Sequence, residues 1–147
     1  MEENRLKTYA TAIYQNAMVG VQSIRDIEDS VEDLKLQKEL DRERAGFNKI
    51  AQKVQDYATK NGFMVEENNF FEKSRMWLSV KMSTMFNNST RHIAEMMLLG
   101  TVMGLTTCYK DKFDHKGVSE ELDKILGELE KLEDDNYLKL KTFLKEM

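Results

Sequence analysis

Apolar and small residues recur at three- and four-residue spacing along four stretches of the chain, the period of an amphipathic α-helix. Leu6, Ala10, Ile13, Ala17, Val21, Ile24 and Val31 form the first stripe, with Gly20 on the same face, and predict helix A over about residues 4–30. Leu36, Leu40, Phe47, Ile50, Val54 and Tyr57 repeat the pattern and predict helix B over 33–60. Lys60-Asn61-Gly62 closes it, a glycine after a basic residue being a C-terminal stop. A turn at residues 29–33 separates A from B, because one uninterrupted helix of more than about 50 residues is anomalous in a compact domain. Helix C is expected over 90–113, capped by Ser89 or Thr90. Ile93, Met97, Gly100 and Gly104 line one of its faces and Leu98, Val102 and Leu105 another. An element apolar on two sides should be the most buried of the four, or should also carry a dimer contact. Helix D is expected over 119–146. Ser119 is its N-cap, acidic residues follow in the first turn, and Leu122, Ile125, Leu129, Leu132, Leu140 and Phe143 form its stripe.

Residues 63–88 connect B to C. The segment is too long for a hairpin loop and too apolar for a linker. Phe71, Leu78, Met82 and Met85 fit a helix, whereas Met76, Leu78, Val80 and Met82 alternate as in a strand. A connection of this length can run from one end of a bundle to the other and lets C run parallel to B. The expected architecture is therefore all-α: one domain over 1–147, a four-helix bundle of two antiparallel hairpins joined by a long crossover, the connectivity of ferritin-like folds.

Composition narrows the classes. The 147 residues suffice for one continuous core. Charged residues make up 33% and apolar residues 41%, with no proline and seven glycines, a balance that suits long helices. Both signs are interspersed and the net charge is -4, so no basic stripe is present for nucleic acid or an anionic membrane. The single Cys108 offers neither a disulfide nor a zinc-ligand set, which makes the cytoplasm the expected compartment. The first residues lack a signal-peptide pattern, and the charge-free run Met96–Tyr109 is shorter than the roughly 20 residues of a membrane span.

Polar residues interrupt two of the stripes. Glu43 stands where Leu40 and Phe47 predict an apolar side chain, and Asn136 falls between Leu129 and Leu140, with Glu133 beside it. Glu43 lies about 17 Å from the A/B turn and Glu133 about 24 Å from the C/D turn. In a bundle about 40 Å long with those turns at opposite ends, the two carboxylates meet at one level. The same reckoning brings Gly20 and Gly100 to that level, placing two acids, an amide and two bare helix faces at mid-bundle.

This layout resembles the ferritin-like superfamily, in particular uncharacterised bacterial ferritin-like proteins of clostridial type with similar "HIAEMM...G" and "E..N" stretches in their second hairpin. The resemblance implies a di-iron site built from a Glu on each of two helices and a Glu-x-x-His on each of the others. In this chain Glu43 to Gly46 corresponds to one such motif with glycine in the histidine's place, and Glu133 to Asn136 to the other with asparagine there. Helix A offers no carboxylate between Thr8 and Ile24. The implied centre is therefore degenerate, with Glu43 and Asn136 expected to form a buried hydrogen-bonded pair that an arginine or an ordered water can join. His92 and Glu95 share a helical face, but as two ligands in a first turn they are expected to cap and to lie at the surface. His115, in the C/D turn, lies at the opposite end. Gly100-x-x-x-Gly104 permits close helix approach or walls a cavity, and the ten methionines suit adaptable packing.

The leading expectation is a non-enzymatic binding or protein-interaction module without a cofactor, a homodimer through helix C and the Trp77 crossover. One alternative is an atypical iron or manganese protein using Glu43, Glu133, Asn136, Glu95 and His92. The other is a carrier of a small apolar ligand held beside Gly20, Gly100 and Gly104, visible as an elongated mid-bundle pocket.

Overall fold

The computed structural model describes residues 2–67 and 89–145. Within them the chain is helical, with no strand: α1 (Glu2–Ile27), a 3₁₀ turn (Glu28–Ser30), α2 (Leu34–Lys60), α3 (Thr90–Asp114) and α4 (Glu120–Lys145). Helix A thus ends three residues before its expected limit, and Val31 is buried in the link rather than on the helix. The crossover expectation, and with it the choice between helix and strand near Trp77, falls largely outside the described residues.

Local chemistry sets the helix ends. Asp33 accepts from the Leu36 backbone N–H at 2.9 Å, Ser89 from that of His92 at 3.1 Å, and Ser119 from that of Leu122 at 3.1 Å. Each cap satisfies an N–H that has no partner within its helix. At the C-terminal ends of α2 and α3 the chain turns through Gly62 and Gly117, both at φ +79°, where a side chain is strained.

Tyr9, Ile13, Val21, Ile24, Leu36, Leu40, Val54, Ile93, Leu122, Leu129 and Leu140 are all but inaccessible and make one core shared by the four helices. α1 packs chiefly on α2 and α3 chiefly on α4. The two pairs are joined by Tyr9 donating to Asp123 at 2.6 Å, by the Lys53–Glu128 ion pair at 2.7 Å and by Gly46 set against Leu132. Where α2 ends, Phe63 tucks against Tyr57 and the chain passes over α1, with Gln15 donating to the Glu66 carbonyl at 3.0 Å and Tyr14 to Glu67 at 2.9 Å.

α3 is not the most buried element. Its apolar residues run around most of the helix, and α1 and α4 cover only part of that circumference, leaving Leu99, Val102, Met103, Tyr109 and Phe113 exposed.

Two glycines test the packing in opposite directions. A Cβ at Gly20 would lie 2.5 Å from the Phe47 ring, whereas one at Gly127 meets nothing within 4 Å. Gly127→Ala is expected to raise unfolding free energy by about 0.8–1 kcal/mol through helix propensity. Gly20→Ala is expected to lower it by about 1–3 kcal/mol through overpacking. Urea denaturation of the two variants checks the signs.

Candidate functional site

At mid-bundle α1 and α3 face each other where neither carries bulk. Gly20 of α1 and Gly100 and Gly104 of α3 line a cavity of about 80 Å³, with Glu43 and Phe47 of α2 and Glu133 of α4 completing it. That volume has room for several waters or a small organic group. Met96, Met97 and Met103 supply soft apolar wall, and Asn16, Ser23, Thr101 and Thr107 a few hydrogen-bonding groups. A Cβ at Gly100 would stand in open space.

Glu43 is 1% exposed. Burial, then its hydrogen bond to Glu39 and the Glu39 charge, push its carboxyl up to about 10 against the pull of Arg42. Glu39 is the partner that ionises: burial acts against it, but hydrogen bonds from Glu43 and Arg42 outweigh burial and hold it below the usual carboxylate range. Arg42 pairs with Glu39 at 2.5 Å and reaches Asn136 Oδ1 at 2.9 Å. Glu43 thus carries a proton shared with Glu39, and its Oε2 meets no N–H donor among the described residues.

Glu133, 3% exposed, sits in the space that a side chain at Gly104 would take: a Cβ there would lie 2.0 Å from its Oε1. Burial raises its carboxyl to about 8, opposed by hydrogen bonds from Cys108 and Asn16 and aided by Asp134. The Cys108 thiol donates to Glu133 Oε2 at 3.5 Å, and Asn16 Nδ2 donates to the Gly104 carbonyl at 3.1 Å. Burial and the neighbouring Glu133 push the Cys108 thiol far up, so it is no nucleophile at neutral pH.

The cavity brings together Glu43, Glu133, Gly20, Gly100 and Gly104. It does not bring in the remaining candidates. Asn136 is fully buried, but its oxygen takes Arg42 and its Nδ2 is unpaired, so the expected Glu43–Asn136 hydrogen bond is replaced by one partner for each. His92, expected at the surface, is 4% exposed, because the first turn of α3 rolls it inward beside Ile93 while Glu95 faces out. The two therefore do not form a ligand pair. His115 stacks on Tyr9 with ring centroids 4.7 Å apart. Among the described residues no group of three or more His, Cys, Asp or Glu side chains is placed to hold a metal. With Glu43 protonated against Glu39 and no histidine at the cavity, these residues do not fit a di-iron centre.

Sequence reading missed Asn16, Glu39, Arg42 and Cys108. Asn16 carried a usable signal, a polar residue three after Ile13 and four before Gly20 on the buried face of α1. Glu39 and Arg42 carried none, since both read as an exposed helix surface. No known family, curated protein or solved structure matches the chain.

The carboxyls link stability to pH. A carboxyl raised in the folded state contributes fully below its unfolded value and loses that contribution as pH rises through its folded value. Glu133 and Glu43 titrate this way, from an ordinary 4.5 to about 8 and about 10, as does Asp111, raised by burial from 3.8 to about 6. Stability is expected to fall between about pH 5 and 8, by up to about 1.4 kcal/mol per pH unit for each titrating acid. Glu133→Gln should flatten that fall, measured by urea denaturation at several pH values. An unchanged slope would show that Glu133 is ionised in the folded protein.

Proposed function

We propose that the chain is a non-enzymatic, ferritin-like helical bundle that binds a small, largely apolar molecule in its mid-bundle cavity. The observation that carries the reading is the cavity itself: three glycines, Phe47 and three methionines around two acids. Predominantly apolar lining with few convergent polar groups is the usual make-up of a ligand pocket.

The connectivity is supported by residue pairing. Contacts of α1 and the turn after it with α2 run Tyr14–Gln55, Gly20–Phe47 and Glu28–Arg44, numbers rising on one side as they fall on the other. Those of α1 with α3 and its C-cap run Tyr9–His115 and Asn16–Gly104. Those of α3 with α4 run Gly104–Glu133 and Lys112–Glu130. If α2 and α3 both run against α1, they are parallel to each other, and two antiparallel hairpins are joined by one long crossover. A wider cleft of about 520 Å³ lies beside Tyr9 and Phe113, but Lys112 and Glu130 on its wall pair with each other at 3.7 Å.

Benzyl alcohol, small and mainly apolar, is expected to bind and raise the melting temperature. Gly100→Leu, which adds bulk to a residue of the cavity wall, should abolish the shift while keeping the helical circular-dichroism signal. Absence of a shift in the unaltered protein would remove the reading.

A second reading, homodimerisation through α3, has its own observation. The exposed residues Leu99, Met103, Tyr109 and Phe113 are placed symmetrically about Thr106. An antiparallel copy of α3 centred there would set Leu99 against Phe113 and Met103 against Tyr109, the self-complementarity that a twofold interface requires. Light scattering should give a dimer mass that Phe113→Glu reduces to a monomer. A monomer before substitution would reject this pairing.

A further inference from the structure

We infer that the occupant of the mid-bundle cavity is a small organic amine, its nitrogen between Glu43 and Glu133 and its apolar body against Phe47 and the methionines. This rests on the ligand-binding reading above and names the chemistry of the ligand.

The charged lining of the cavity has one sign. Glu43 and Glu133 are its ionisable residues, and no lysine, arginine or histidine is among its described walls. Arg42, the nearest cation to Glu43, is turned to Glu39 and Asn136 instead. The polar opening points the same way. Glu43 Oε2 is buried and meets no N–H donor among the described residues. A buried acceptor that no protein donor reaches can take a ligand N–H. Glu133 is met by the Asn16 amide and by a long thiol contact at 3.5 Å on Oε2, and the two oxygens of a carboxyl keep further acceptor capacity.

An amine answers these features together. It supplies several donors where the walls supply acceptors, and against a carboxyl it forms an ammonium–carboxylate pair without bringing net charge into the cavity. The ammonium is also attracted to the face of an aromatic ring such as Phe47, and thioethers pack well on aromatic ligands. A neutral alcohol offers one donor and no charge. A carboxylate ligand would set a third acid beside two.

Isothermal titration calorimetry with benzylamine, benzyl alcohol and benzoate, three ligands of nearly one shape, separates the cases at neutral pH. Benzylamine is expected to bind at least about tenfold more tightly than benzyl alcohol, the equivalent of about 1.4 kcal/mol, and benzoate not at all. Glu133→Gln, nearly isosteric, should erase the preference for the amine over benzyl alcohol. Equal affinity for amine and alcohol, or tighter binding of benzoate, would overturn the inference and leave the pocket reading standing. Failure of all three to bind would overturn both. The comparison on the unaltered protein needs no variant, so a poorly folding Glu133→Gln does not decide the outcome.

Discussion

Two glutamates removed from water, neither of them paired with a cation among the described residues, govern the middle of this protein. An ionised carboxylate in such a place is costly, and the structure meets that cost by keeping the proton. Glu43 does so by leaning on Glu39, which is ionised, partly wet and held by Arg42. Glu133 does so with a thiol and an amide as its neighbours. Much of the local geometry follows. Gly104 is bare because the Glu133 carboxyl occupies its side-chain space, and Gly20 is bare because Phe47 does the same on α1. The cavity is what remains between these two displaced volumes and the open face of Gly100.

The helices were legible because each feature that defines them is local. Stripes at helical spacing, a capping Asp or Ser, and a glycine at the C-terminal stop are written within a few residues of the boundary they produce, as Ser89, Ser119 and Gly62 illustrate. The end of α1 was misjudged because Val31 continues the apolar stripe after the backbone has left the helix. A buried side chain does not reveal whether helix or link delivers it.

The site was legible in outline and not in its bonding. Simple helix rise brought Glu43, Glu133, Gly20 and Gly100 to one level, and the cavity gathers all four. Who bonds to whom depends on rotations of a few tens of degrees about each helix axis, which spacing does not record. That is why Asn136 pairs with Arg42 rather than Glu43, and why His92 turns inward from a first turn that reads as surface.

Cys108 gives the bundle an internal clock. Its thiol is fully buried and held protonated by the acid beside it, so a thiol reagent reaches it only when α3 lifts away from α1 and α4. With no second cysteine in the chain, the rate of labelling counts those openings directly. Because the thiol sits one helical turn from Gly104, a residue of the cavity wall, a molecule seated in the cavity would slow the clock without touching the sulfur.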